Sequence, residues 1–128
     1  MAPPPPIWTA GTTVHEKALP LYQAKAELFR TLGHPIRIRV LELLQNGPRP
    51  VRELLDEIGV EASNLSQQLA VLRRSGLVIS SRAGSAVVYT LSTSDVADLM
   101  LAARRILTSM LSDQEELLAE LRADAETR

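Results

Sequence analysis

Residues 51–76 read VRELLDEIGVEASNLSQQLAVLRRSG, and the fold turns on how this stretch breaks. Its first part, about 50–58, places Val51, Leu54, Leu55 and Ile58 at the spacing of one helical face. Gly59 terminates that helix. A second helix begins near Ala62 or Ser63 and ends at Gly76. Two helices joined by a tight turn containing Gly form a helix-turn-helix pattern.

Residues 62–75, placed on a wheel of about 100° per residue, bring Leu65, Leu69 and Leu72 within about 60° of one another. These three form the face that is buried. Ser63, Gln67 and Arg74 lie opposite, with Asn64, Ser66, Ala70 and Val71 on the flanks. The outward side is therefore small and polar at its start and basic at its end. A helix entering the major groove presents its N-terminal residues to base edges. Asn, Gln and Ser match base donors and acceptors there, and Arg takes guanine or phosphate.

Beyond Gly76 the period changes. Leu77-Val78-Ile79-Ser80-Ser81-Arg82 and Ala86-Val87-Val88-Tyr89-Thr90-Leu91 are two β-type runs around an Ala83-Gly84-Ser85 turn, which predicts a hairpin. A hairpin directly after the second helix of a helix-turn-helix is a wing. From Ser94 the helical period returns through Val96, Leu99, Ala103, Ile106 and Met110. No Pro or Gly interrupts residues 94–126. The helix either runs through or breaks and restarts at Ser112-Asp113-Gln114-Glu115, which has the form of a capping box.

Upstream, a helix is expected from His15 to Leu32, closed by Gly33, and another over 35–45, opened by Pro35 and stopped by Asn46-Gly47-Pro48. In the latter, Ile36, Val40, Leu43 and Leu44 are read as the apolar side, with Arg37 and Arg39 facing away. Residues 1–14 hold four consecutive Pro and form an extended arm that includes Trp8. The expected organisation is an arm at 1–14, a winged helix-turn-helix domain at 15–111 and an acidic helical extension at 112–128. The fold class is mainly α with a small β-hairpin.

With 128 residues and 45% hydrophobic content the chain builds one compact domain, and 3% aromatics leaves its core to Leu, Val, Ile and Ala. Net charge is −1, but the charges are sorted. Residues 30–82 carry eight Arg against five acids, and residues 92–128 carry four Arg against eight acids. That asymmetry suits a chain that meets phosphate with one part only. The sequence has no Cys, which excludes disulfides, thiolate metal sites and a cysteine nucleophile. No apolar run spans a membrane, and the N-terminus lacks the basic and apolar regions of a signal peptide, so a cytoplasmic location is expected. No nucleotide loop and no Ser, His and acid arrangement points to an enzyme.

Two longer segments sharpen this picture. Ala26-Glu27-Leu28-Phe29-Arg30-Thr31-Leu32-Gly33-His34-Pro35-Ile36-Arg37-Ile38-Arg39-Val40-Leu41 resembles the opening of the ArsR/SmtB family of repressors, where "kaLghptRlrIL" recurs. Residues 63–78, from Ser63 through Gly76-Leu77-Val78, are similar to that family's recognition helix, "svSqHLkvLreaGLV", and Val88-Tyr89-Thr90-Leu91 resembles the end of its wing. The likeness covers about residues 22–110 in order and spacing. It implies a winged homodimer that binds double-stranded DNA at a palindromic operator, represses transcription, and is released by an effector.

Carried onto this chain, the resemblance makes Ser63, Asn64, Ser66, Gln67 and Gln68 base readers. Gln68 stands where the family usually has His, and the wheel puts it near the buried edge. Arg73, Arg74 and Arg82 would hold phosphate, with Ser85 at the wing tip reaching the minor groove. Arg49 and Arg52 would open the third helix beside a further phosphate. The dimer would form on the first and last helices, through Tyr22, Ala26, Phe29, Leu99, Ala103, Ile106 and Met110.

The chain departs from the family at its metal sites. The third helix has no Cys, and the last has Asp95 and Asp98 but no His. His15 and His34 are the two His of the whole chain. His34, between two helices, is read as structural. A nickel or zinc site, if one existed, would rest on His15 with carboxylates such as Glu16. No cofactor is expected. What remains is a small molecule, a co-regulator protein, or no effector at all, with control through expression level. The rival reading is a winged-helix module used only for protein association.

Overall fold

The computed structural model describes residues 19–127, with side chains to 125. The order is α1 (Leu21–Leu32), α2 (Pro35–Leu43), a 3₁₀ turn (Leu44–Asn46), β1 (Arg49–Pro50), α3 (Val51–Ile58), α4 (Ala62–Arg74), β2 (Val78–Ala83), β3 (Ala86–Leu91) and α5 (Ser94–Thr127). The expected helices and hairpin are all present, as is the turn between α3 and α4. The expected arm and the candidates His15 and Glu16 lie outside the described residues.

Two boundaries differ from expectation, each for a local reason, and one left open is settled. The helix expected from His15 does not run through Leu19 and Pro20. Pro20 is the extended N-cap of α1 at φ −55°, ψ 145°, and a residue before proline is pushed out of helical geometry. Arg49 and Pro50 do not open α3. They form β1, antiparallel to β3 with Arg49 opposite Tyr89 and Pro50 opposite Val88, and Pro50 caps α3. The hairpin is thus part of a three-stranded sheet in the order β1-β3-β2. The possible break at Ser112 does not occur, because α5 is one helix of 34 residues.

The chain divides into two compact units between Ala97 and Asp98. In the first, Leu41, Leu44, Leu54, Leu65, Leu72 and Val40 are fully buried, joined in the core by Leu32, Leu43, Leu69, Leu77, Val78, Tyr89 and Val96. Each buried Leu contributes about 1.5–3 kcal/mol of transfer free energy. Leu65, Leu69 and Leu72 are the core side of α4 that the wheel assigns. α3 anchors through Leu54, while Val51, Leu55 and Ile58 are half-buried.

Two glycines set the entry and exit of α4. Gly59 closes α3 in the left-handed region at φ 73°, ψ 31°, its N–H donating to the Leu55 carbonyl at 2.9 Å. This turns the chain within three residues into α4. Gly76, at φ 81°, ends α4 in a Schellman turn, with the Leu77 N–H donating to the Leu72 carbonyl at 3.1 Å. The Ser75 hydroxyl donates to the same carbonyl at 2.9 Å. The carbonyl of Leu77 in turn accepts from the backbone N–H and the hydroxyl of Ser92, at 3.0 and 3.1 Å. These bonds fix where the wing leaves α4 and where it returns.

Candidate nucleic-acid interface

With its leucines buried, α4 turns Ser63, Ser66 and Gln67 outward, exposed, with Asn64 half-buried beside them. Arg73 and Arg74 close the same helix, both exposed. On the wing, Arg82, Gly84 and Ser85 are exposed, and Arg82 lies opposite Val87, one register step from the turn. Among the described residues, Arg73, Arg74 and Arg82 make no ion pair, so their charge is not neutralised within the chain. Arg52 is exposed and lines a groove of ≈ 330 Å³ with Pro50, Val51, Ser85, Ala86 and Val87. That groove brings the start of α3 to the wing tip. Arg49 is only half-exposed and lies 3.9 Å from Glu53, which leaves it less free for phosphate than the other four.

Gln68 does not fit the expected role of base reader. It is 9% exposed, and both ends of its amide are engaged. Oε1 accepts from Arg37 Nε at 2.8 Å, and Nε2 donates to Asn64 Oδ1 at 3.1 Å. Its place on the inner edge of α4 is the cause, since Leu65, Leu69 and Leu72 adjoin it on the wheel.

Arg37 is the residue that sequence reasoning misses. It does not face away from α2. It reaches inward to Gln68, and its Nη1 donates to the Thr31 carbonyl at 3.0 Å, in the last turn of α1. The signal was present, because Val40, Leu41 and Leu44 stand three, four and seven residues after Arg37 and are all fully buried. Arg37 heads that row, and its charge hides its membership. Arg39, by contrast, is exposed and lies 3.9 Å from Glu42.

His34 is structural in the way its position suggests, since its Nδ1 accepts from the Ile36 N–H at 3.2 Å and caps α2. Among the described residues, no three His, Cys, Asp or Glu side chains cluster in a way that could hold a metal ion. The residues expected at a dimer interface are open in the single chain. Tyr22 is 72% exposed, Phe29 58%, Ile106 61% and Met110 53%. Ala26 and Ala103 are also exposed, and Leu99 is half-buried. Among the described residues no helix is long and apolar enough to cross a membrane.

The family model for bacterial regulatory proteins of the arsR family matches residues 34–80, from the cap of α2 into β2. The HTH-type transcriptional regulator Rv0081 of Mycobacterium tuberculosis is 52% identical over 105 residues, 81% of this chain and 92% of that protein. The chain belongs to the ArsR family. The crystal structure of Rv0081 superposes with a TM-score of 0.70 over 76% of this chain and 98% of that one. The transcriptional repressor BigR from Xylella fastidiosa is 38% identical, with a TM-score of 0.63 over 66% of this chain and 87% of that one. The homodimeric winged helix-turn-helix DNA-binding domain of Mb0332 from Mycobacterium bovis is 27% identical, with a TM-score of 0.63 over 77% and 90%. The fold of this ArsR-family chain is therefore the winged helix-turn-helix, and its class is that of transcriptional regulators rather than enzymes.

Proposed function

We propose that this chain is a sequence-specific DNA-binding repressor, acting in the bacterial cytoplasm as a homodimer on a palindromic operator. The observation that carries this is the split of α4. Leu65, Leu69 and Leu72 hold it to the core, while Ser63, Ser66 and Gln67 stand exposed ahead of two arginines that make no ion pair among the described residues. The helix docks in the major groove with Ser63, Asn64, Ser66 and Gln67 toward base edges. Arg73, Arg74, Arg82 and Arg52 hold the flanking phosphates, and Ser85 at the wing tip approaches the minor groove.

One such unit reads a half-site, so two must be held about one helical turn apart. The exposed Tyr22, Ala26 and Phe29 on α1 and Ala103, Ile106 and Met110 on α5 supply the apolar surface for pairing two copies. Release by an effector is part of the proposal. With no Cys in the chain, that effector is a small molecule or a co-regulator protein rather than a thiol oxidant.

The test is selection of bound fragments from a genomic DNA pool by the full chain, followed by titration of an enriched fragment at several salt concentrations. A palindromic motif with steeply salt-dependent affinity is expected. Binding that ignores sequence and salt overturns the proposal and favours a module for protein association.

A further inference from the structure

The bonds around Gln68 have a direction that α4 alone does not set. Arginine carries only donors and stays charged throughout the accessible pH range. Arg37 Nε therefore requires an oxygen from Gln68, and it finds Oε1 at 2.8 Å. That leaves Gln68 Nε2 on the far side, where it requires an oxygen from Asn64 and finds Oδ1 at 3.1 Å. Asn64 has thus turned its acceptor inward. Its Nδ2 group points the other way and has no hydrogen-bond partner among the described residues. The relay begins at the carbonyl of Thr31, which accepts from Arg37 Nη1 at 3.0 Å. Gln68 is buried, and Arg37 and Asn64 are half-buried, so an amide flipped the wrong way would set donor against donor where water cannot relieve it.

We propose that Arg37, acting through Gln68, holds Asn64 as an outward-facing donor, so that Asn64 selects a keto base, guanine or thymine, at its operator position. An Asn free to rotate matches adenine, offering a donor and an acceptor together. One whose oxygen is held inward meets O6 of guanine or O4 of thymine favourably, opposes the amino group of cytosine, and keeps at adenine only the N7 acceptor beside an opposing N6 amino group. Arg37 and Gln68 are positioning residues and touch no base. The inference rests on the DNA-reading role of α4 proposed above.

The test reverses the relay without changing its shape. In Gln68→Glu both carboxylate oxygens accept, so Arg37 keeps its partner while Asn64 must donate inward through Nδ2 and present Oδ1 to the duplex. Asn64→Asp gives an outward oxygen by a different route and leaves the Arg37–Gln68 bond alone, which covers the case in which Gln68→Glu fails to fold. Full-length wild type and both variants are used to select from randomised duplexes. The position read by Asn64 is the one where Asn64→Ala flattens the preference. The contacted strand is the one on which an abasic nucleotide cancels the difference between wild type and Asn64→Ala.

On that strand wild type is expected to prefer guanine or thymine. Both variants are expected to move to the amino base of the same ring class, guanine to adenine or thymine to cytosine, with a reversal of about fivefold in each direction. An amino base preferred by wild type, or an unchanged preference in variants that still bind DNA with the wild-type salt dependence, overturns the relay and leaves the DNA-reading role standing. If wild type selects no motif, the DNA-reading role itself has failed and the relay falls with it.

Discussion

Replacing Arg82 by Ala tests the wing as a phosphate contact. Arg82 is exposed and makes no ion pair among the described residues, and it sits beside the hairpin turn opposite Val87, so its loss removes no side-chain bond among them. Such surface changes alter stability by about 0.5 kcal/mol or less. The effect on binding follows from counting charges. If Arg52, Arg73, Arg74 and Arg82 each neutralise one phosphate in both subunits, about eight phosphates are covered, and log K falls with log salt at a slope of about −7. Between 50 and 200 mM salt that is a loss of roughly ten-thousandfold. Arg82→Ala removes two of those contacts and reduces the slope by about 1.8. The measurement is a fluorescence-anisotropy titration of an operator duplex and a scrambled duplex at four or five salt concentrations. The slope should shrink equally on both, with the penalty for each operator mismatch unchanged, because phosphate carries no sequence information. An unchanged slope refutes the phosphate role. A reduced mismatch penalty shows that Arg82 reads bases instead.

Three further outcomes are expected. Gly59→Ala should lower unfolding stability by about 1–2 kcal/mol in urea titration, since a Cβ there meets open space and the cost is purely that of a left-handed backbone. Gly59→Asn should cost less. Arg37→Met should cost about 1–3 kcal/mol by leaving the Gln68 oxygen buried and unpaired, and adding Gln68→Leu should recover part of that loss, because removing both partners is cheaper than orphaning one. Met110→Glu should leave the winged unit folded but shift sedimentation from dimer toward monomer and weaken binding to a two-half-site operator more than to a single half-site, given the exposure of Met110 in the single chain.

What the sequence made legible is what periodicity records. The leucines of α4, the Gly at each of its ends and the β-branched runs of the wing each produce a pattern within about a dozen residues, and the structure follows them. β1 escaped because two residues have no period, and its pairing with Tyr89 and Val88 joins positions about forty residues apart in the chain. The start of α1 was missed by following apolar spacing past Pro20, whose missing N–H and fixed φ outweigh it. In the interface, Ser63, Ser66 and Gln67 lie where the wheel puts them. The roles given to Gln68 and Arg37 fail, because sorting residues into apolar-in and polar-out has no place for two polar groups that satisfy each other inside. The wheel's position for Gln68 and the spacing of Arg37 to Val40, Leu41 and Leu44 both pointed inward, and only the chemistry of the side chains argued otherwise.

The same pairing of charges bears on why a chain of net charge −1 suits a polyanionic partner. Interaction between exposed charges fades over about 8–10 Å in salt, so the duplex responds to the charges near its phosphates and not to the total. On the winged unit, Glu27, Glu42 and Glu53 lie next to Arg30, Arg39 and Arg49, on α1, α2 and at the β1–α3 junction. Those pairs cancel locally and are worth little to stability, since each has at least one well-exposed partner. Their consequence is what they leave over: among the described residues, the arginines that make no ion pair include Arg73, Arg74 and Arg82, on the last turn of α4 and on the wing. Residues 98–127 carry three Arg against seven acids, so that part of α5 is repelled by phosphate. Positioning by sorted charge, followed by readout through a few polar side chains, requires no excess of basic residues, and a near-neutral composition is compatible with it.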